Sequence, residues 1–131
     1  MSTNALSIPV SIAEALDKIV ILRLKCQRCE SDKSLHAQLE LEGLIAAWEQ
    51  SGLNPPESVQ EWPDLWEVNS RLWLLEDQIR EHEHNQSFGS EFVKLARAIY
   101  QLNDQRSLLK HSINQRMGSQ LREVKSYSSF S

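Results

Sequence analysis

The chain has 131 residues, of which 40% are hydrophobic and 24% are charged, and its formal net charge is −4. This length can build one hydrophobic core but not two, so we expect a single domain over residues 1–131. Because the sequence has neither a long apolar run nor a basic, apolar leader at its start, we expect no membrane span, no secretory signal and a cytoplasmic location.

The first predicted helix covers about residues 11–30. Ser11 and Glu14 have the S-x-x-E spacing of a capping box, which marks a helix start. The apolar residues of this helix spread over more than one stripe, which predicts contacts on several sides. Its polar face carries Glu14, Asp17, Lys18 and Lys25. This face is either a solvated ladder of ion pairs or a place from which Lys18 and Lys25 reach into a site.

The second predicted helix covers about residues 33–50, after a polar turn at Ser31–Asp32, and Gly52 is placed to end it. A proline-rich linker follows, and Pro63 suits the first turn of the third helix, predicted over about residues 63–83. The four tryptophans are Trp48, Trp62, Trp66 and Trp73. We expect them in the core, with a dimer surface or a platform for stacking a sugar ring as the alternatives.

The third and fourth helices carry apolar residues at heptad spacing, which predicts a buried seam between them. The seam residues are Leu65, Val68, Leu72, Leu75 and Ile79 on the third helix, and Phe92, Leu95, Ile99, Leu102, Leu109 and Ile113 on the fourth. One seam position of the fourth helix, which covers about residues 90–117, holds Arg106. An unpaired buried charge is very costly, and the third helix offers Glu76 and Asp77 as partners for Arg106. Antiparallel pairing across the short turn, however, places these two carboxylates nearer Arg97 and Tyr100 and places Asn69 nearer Arg106 and Lys110.

These elements predict an all-α fold, a four-helix antiparallel bundle with a short C-terminal tail over residues 119–131. The tail residues Leu121, Val124 and Tyr127 are spaced for a last helical turn or for a docked extended segment. The broad apolar surface of the first helix and the group of tryptophans also predict a homodimer.

Polar residues beside the seam form a candidate site. Its members are Asn69, Trp73, Glu76, Asp77, Arg80, Asn103, Arg106, Lys110 and, from the first helix, Lys18. One hypothesis is that they form a buried network that fixes how the helices align. The other is that they line a pocket, where the basic residues bind an anionic group and Glu76 or Asp77 acts as an acid, a base or a metal ligand.

Other chemistries lack a complete motif. Cys26 and Cys29 form a C-x-x-C inside a predicted helix, without the preceding strand of a redox motif or the further ligands of a zinc site. Residues 81–84 read Glu-His-Glu-His and supply only one of the paired Glu-x-x-His elements of a di-metal bundle. No phosphate loop and no nucleophile elbow occur. We therefore predict no metal and no cofactor.

Charge is unevenly distributed along the chain. Residues 57–91 carry nine acidic and two basic side chains, whereas residues 92–131 carry seven basic and two acidic ones. Two such segments either pair with each other in an antiparallel hairpin, or the basic segment binds phosphate or nucleic acid. Because the chain is acidic overall and has no basic stripe interleaved with aromatic residues, we predict no nucleic-acid partner.

Two motifs are the most specific features of the sequence: N-x-x-L-W-x-x-E-D-x-x-R from Asn69 to Arg80 and A-x-Y-x-x-N-D-x-R from Ala98 to Arg106. With residues 10–25 and the segment LREVKSY, they resemble a small bacterial helical family catalogued only as a domain of unknown function. A second uncharacterised helical family is similar over the N-x-x-L-W-x-x-E-D and N-x-x-R elements.

This resemblance implies an association with glycosyltransferases and tetratricopeptide proteins of cell-surface polysaccharide assembly, and it supplies no catalytic residue. We therefore expect an accessory or interaction module linked to polysaccharide or lipopolysaccharide assembly, with a glycosyltransferase or another protein as partner. The alternative is an enzyme or binding protein that holds an anionic sugar phosphate or nucleotide sugar in a polar pocket between helices.

Overall fold

Four α-helices dominate the computed structural model, which describes residues 5–122. They are α1 (Ile12–Arg28), α2 (Ser31–Gln50), α3 (Trp62–His84) and α4 (Ser90–Met117), with a 3-10 turn at Pro56–Ser58 between α2 and α3. Because residues 5–122 contain no β-strand, the predicted all-α class is confirmed, and the arrangement agrees with a four-helix bundle. No helix in this part of the chain is long and apolar enough to cross a membrane.

The helix ends follow local signals in the sequence. The Ser11 hydroxyl accepts a hydrogen bond from the Glu14 backbone N–H at 3.0 Å, as the capping-box spacing predicts. Gly52 and Gly118 adopt left-handed conformations, with φ of 75° and 70°, just beyond α2 and α4. The prediction of a polar turn at Ser31–Asp32 was wrong. These two residues form the first turn of α2, because α1 already ends at Arg28.

The helices form two antiparallel hairpins that meet through α1. Residues 29–30 connect α1 to α2, and residues 85–89 connect α3 to α4. α1 packs against all three other helices, which explains the breadth of its apolar surface. In contrast, α2 packs mainly on α1, and its buried residues are Ala37 and Trp48. α1 is therefore the central helix, and α2 lies on its outer side.

The core has two parts. The larger cluster joins α1 to the other helices through residues such as Leu16, Val20 and Leu65, all of which are fully buried. The smaller cluster contains residues of α3 and α4, namely Val68, Leu72, Ile99 and Leu102 with Leu75, Ile79 and Leu109 packed against them. The predicted seam between α3 and α4 is therefore confirmed for these residues. Two further seam residues, Leu65 and Ile113, belong to the larger cluster around α1.

The tryptophans belong mostly to the core, as predicted. Trp48 is 3% exposed, and its Nε1–H donates a hydrogen bond to the Asn54 carbonyl oxygen at 2.7 Å. Trp62, Trp66 and Trp73 are half-buried and pack against the larger core cluster. Each of these three rings therefore keeps one part in contact with solvent.

The start of α1 is closed by residues from the end of α4. The Ala13 N–H donates to Asn114 Oδ1 at 2.8 Å, and the Ile12 N–H donates to Ser119 Oγ at 3.1 Å. Asn114 is 2% exposed, so this contact is part of the core. These bonds satisfy N–H groups that have no partner within the helix itself. Of the predicted tail contacts, those of Val124 and Tyr127 lie outside the described residues.

Candidate functional site

Two opposite charges occupy core positions on different helices. Asp17 lies on α1 in register with Ala13, Val20 and Leu24, and it is 4% exposed. Arg106 lies on the seam of α4 and is half-buried. Helical spacing of i, i+4 and i+7 places both side chains on the inner faces of their helices. The fold must therefore satisfy a carboxylate and a guanidinium in its interior.

Asn69 of α3 connects these two charges. Its Nδ2 donates to Asp17 Oδ1 at 2.8 Å, and its Oδ1 accepts from an Arg106 terminal nitrogen at 2.9 Å. The other terminal nitrogen of Arg106 donates to Asn103 Oδ1 at 2.9 Å. The Asn69 amide is thus oriented with its positive end toward the carboxylate and its negative end toward the guanidinium, so one neutral side chain serves both charges. We call Asp17, Asn69, Asn103 and Arg106 the relay.

The predicted partners of Arg106 were wrong. Glu76 makes an ion pair with Arg80 at 3.5 Å on α3, and Arg106 instead binds the amides of Asn69 and Asn103. The prediction considered only the α3–α4 hairpin, whereas the carboxylate that balances Arg106 comes from α1. The predicted proximity of Asn69 to Arg106 is confirmed.

Lys110 adds a second cation next to the relay. Its Nζ lies 2.6 Å from Glu14 Oε2 and 4.0 Å from Asp17 Oδ2, and its side chain is 11% exposed. Burial raises the pKa of Asp17, although the charge of Arg106, the hydrogen bond from Asn69 and the charge of Lys110 act in the opposite direction. Desolvation therefore outweighs the cations, which leaves Asp17 easier to protonate than a solvated carboxyl.

A pocket of about 310 Å³ opens beside the relay, where α1, α3 and α4 meet. Its lining consists of Ile21, Leu24, Lys25, Asn69, Leu72, Trp73, Glu76, Asp77 and Arg106. Arg106 and Asn69 belong to both the relay and the lining. At the rim, the guanidinium of Arg28 lies over the Trp73 ring, 5.7 Å from the ring centroid. The pocket therefore combines an apolar wall with charged groups of both signs.

Residues 6–130 match a protein family with the description "Family of unknown function (DUF6165)". The chain belongs to this family. Searches of curated proteins and of solved structures found no match. The family-level part of the resemblance is therefore confirmed, whereas the bacterial origin and the polysaccharide context stay predictions.

The DUF6165 chain brings together most, but not all, of the predicted site. Asn69, Trp73, Glu76, Asp77 and Arg106 line the pocket. Asn103 belongs to the relay, and Lys110 lies next to it, 4.0 Å from Asp17. Lys18 points elsewhere and pairs with Glu40 of α2 at 3.1 Å. Arg80 is exposed, is not part of the pocket lining and pairs with Glu76 at 3.5 Å. Of the two alternatives for the polar face of α1, Lys25 reaches the pocket and Lys18 does not.

Sequence reasoning missed Asp17 as the counter-charge of Arg106 in this DUF6165 chain. The signal was present, because Asp17 stands four residues after Ala13 and three before Val20, which is a core position. A charge in a core position on one helix is evidence for an opposite charge in a core position on another.

A second buried carboxylate lies outside the predicted site. Glu61, which precedes α3, accepts a hydrogen bond from Ser112 at 2.9 Å and forms an ion pair with Arg116 of α4. Burial raises the pKa of Glu61, but the hydrogen bonds from Arg116 and Ser112 outweigh this effect, so the net shift is downward. This pair realises the predicted charge pairing between the acidic and the basic segment, but Lys110 pairs with α1 instead.

Within residues 5–122, no group of three or more His, Cys, Asp or Glu side chains is arranged to hold a metal ion. The charged groups at the pocket that can contact a ligand are Lys25, Arg106, Glu76 and Asp77. The cations can bind an anionic group, and the carboxylates can accept hydrogen bonds.

Proposed function

We propose that this protein binds a small anionic ligand, of the class that includes sugar phosphates and nucleotide sugars, in the pocket between α1, α3 and α4. The observation that carries this proposal is the set of groups that surround the Arg106 guanidinium. Its guanidinium is half-buried at the pocket, and within residues 5–122 both of its hydrogen bonds go to neutral amide oxygens. No carboxylate oxygen of residues 5–122 lies within 4.0 Å of its nitrogens. An anion in the pocket would supply the direct counter-charge.

The relay supports binding because it holds Arg106 in place before a ligand arrives. Asn69 and Asn103 fix the plane of the guanidinium, and Asp17 fixes Asn69 from behind. These bonds use only part of the donor capacity of an arginine side chain. A planar guanidinium with free donors recognises carboxylate and phosphate groups, and a side chain that is already ordered loses less entropy on binding.

Binding is a better proposal than catalysis for this pocket. A general acid or base must come within hydrogen-bond distance of the reacting group. Asp17 has a raised pKa, but it is not part of the pocket lining and lies behind Asn69. The raised pKa therefore belongs to a group that supports the site and does not touch its ligand.

The test is a thermal-unfolding titration of the full chain with inorganic phosphate and with a hexose 6-phosphate. A ligand at about one hundred times its Kd stabilises the folded state by nearly 3 kcal/mol and raises Tm by several degrees. Arg106→Gln should abolish this increase, and Lys25→Gln should reduce it. Arg97→Gln changes an exposed arginine of the same helix and serves as the matched control. Equal shifts in the Arg106 and Arg97 variants would refute the proposal.

A second candidate function is an accessory interaction module in cell-surface polysaccharide assembly, with a glycosyltransferase or a second copy of the chain as partner, in the cytoplasm. The exposed face of α2 favours it. Leu35 and Leu39 lie one helical turn apart and are 57% and 59% exposed. Sedimentation of the chain alone and after addition of a purified glycosyltransferase tests this function. The double variant Leu35→Gln/Leu39→Gln should prevent any complex that uses this face.

A further inference from the structure

The charged residues of the pocket are divided between the helices by sign. Glu76 and Asp77 both come from α3, whereas Lys25 comes from α1 and Arg106 from α4. The lining therefore holds two cations and two carboxylates, and its formal charge is zero. A pocket that selected for anionic charge alone would not need an acidic wall. The acidic residues therefore constrain the chemistry of the part of the ligand that lies beside α3.

We infer that the ligand has two poles: a single anionic group that binds Arg106 and Lys25, and hydrogen-bond donors, hydroxyl or ammonium, that face Glu76 and Asp77. The inference rests on the proposed function and narrows its ligand class. Ionised carboxylates only accept hydrogen bonds, so the part of the ligand beside α3 must donate. Arg80 pairs with Glu76 at 3.5 Å, so a second anionic group there would meet mainly the carboxylate of Asp77 and be repelled.

The size and the apolar lining narrow the class further. A volume of about 310 Å³ is at the lower end of the range of roughly 300–1,000 Å³ for pockets that enclose a whole ligand. Ile21, Leu24, Leu72 and Trp73 supply an apolar surface in the same pocket. A ring with C–H groups on its face and polar groups at its edge fits such a surface.

These features select a monosaccharide-sized phosphate or carboxylate over a nucleotide sugar. A nucleotide sugar carries a diphosphate and a nucleoside in addition to its sugar, so it brings more than one negative charge to a lining that already contains Glu76 and Asp77. A hexose monophosphate, with one phosphate and several hydroxyl groups, matches both walls.

The experiment is isothermal titration calorimetry of the full chain, which measures the Kd of each of four probes. These are inorganic phosphate, a hexose 6-phosphate, the corresponding 2-amino-2-deoxyhexose 6-phosphate and a nucleotide diphosphate sugar. We expect at least one of the two sugar phosphates to bind about tenfold or more tightly than inorganic phosphate, and the nucleotide sugar to bind more weakly than that sugar phosphate. If the plain sugar phosphate binds more tightly, the donors are hydroxyls; if the amino sugar phosphate does, ammonium is the preferred donor.

The variant Glu76→Gln/Asp77→Asn isolates the acidic wall. In this variant the sugar phosphate should bind no more tightly than inorganic phosphate. Inorganic phosphate should bind as tightly as before or more tightly, because the two carboxylates no longer repel it. Glu67→Gln, an exposed carboxylate of the same helix outside the pocket, should behave like the unmodified chain.

Three results would overturn the inference while leaving the proposed function intact. The sugar phosphates could bind no more tightly than inorganic phosphate, or the nucleotide sugar could bind more tightly than both sugar phosphates. The double variant could also still bind the sugar phosphate more tightly than inorganic phosphate by the same factor as the unmodified chain. If none of the four probes shows binding that depends on Arg106, the proposed function fails together with the inference.

Discussion

Replacing Asn69 with alanine tests the relay most directly. The substitution removes the 2.8 Å hydrogen bond to Asp17 and the 2.9 Å hydrogen bond from Arg106, and both partners are charged. Each lost hydrogen bond to a charged group costs about 1.5–3 kcal/mol. Alanine returns roughly half a kcal/mol through its higher helix propensity. We therefore expect the free energy of unfolding to fall by about 3–5 kcal/mol.

This loss is large compared with the total stability of a domain, which is about 5–15 kcal/mol. Urea unfolding followed by circular dichroism should show a lower midpoint with an unchanged m-value, and Tm should fall by roughly 10–20 °C. Asn103→Ala is the matched control. It has the same gain in helix propensity, but it removes a single hydrogen bond, the one from Arg106, so we expect a loss of about 1–2.5 kcal/mol.

The two variants separate the role of Asn69, which is hydrogen-bonded to both Asp17 and Arg106, from that of Asn103, which is hydrogen-bonded to Arg106. If Asn69→Ala destabilised the protein no more than Asn103→Ala, the Asn69 amide would not be compensating the buried Asp17. In that case Asp17 would be satisfied by another group, and the preorganisation of Arg106 would lose its physical basis.

Three further predictions concern the other buried polar groups. Asn114→Ala should lower the free energy of unfolding, measured by urea denaturation, by about 1–3 kcal/mol, because it leaves the buried Ala13 N–H without an acceptor. Gln115→Ala changes an exposed neighbour and should not lower it, so equal losses in the two variants would contradict this prediction. Burial raises the pKa of Asp17, so its ionisation costs stability as pH rises from the unfolded to the folded pKa. The stability of Asp17→Asn relative to the unmodified chain should therefore increase as pH rises above the usual aspartate pKa, and a pH-independent difference would exclude this. The pKa of Glu61 is lowered, so its contribution to stability is present above the usual glutamate pKa and is lost as pH falls through the folded pKa. The loss of unfolding free energy in Glu61→Gln, measured by urea denaturation, should therefore shrink in acid. A loss that does not change with pH would disprove this prediction.

The helices could be predicted because their signals are local. The Ser11 cap, the glycines after α2 and α4, and Pro63 in the first turn of α3 each act within a few residues of their own position. The start of α2 was harder to predict, because Glu30 occupies its N-cap position without making a side-chain hydrogen bond. Polar residues such as Ser31 and Asp32 fit the first turn of a helix as well as they fit a loop.

The candidate site was predictable only in part, because its contacts join residues far apart in the chain. Helical periodicity identified Arg106 as a core charge, but the spacing along one helix does not tell which neighbouring helix supplies the partner. That depends on α1 packing against both α3 and α4, which places Asp17 behind Asn69. Lys18 and Lys25 show the same limit. They share a polar face in sequence, yet one meets Glu40 of α2 and the other meets the pocket.

The closure of α1 by α4 links the local motions of the two ends of the described fold. Fraying of the last turn of α4 would withdraw Asn114 and Ser119 and expose the backbone amides of Ile12 and Ala13. These amide protons would then exchange with solvent at the opening rate of a segment about one hundred residues away. Slow exchange at the first turn of α1, a position where helices normally fray, therefore reports on the order of the end of α4.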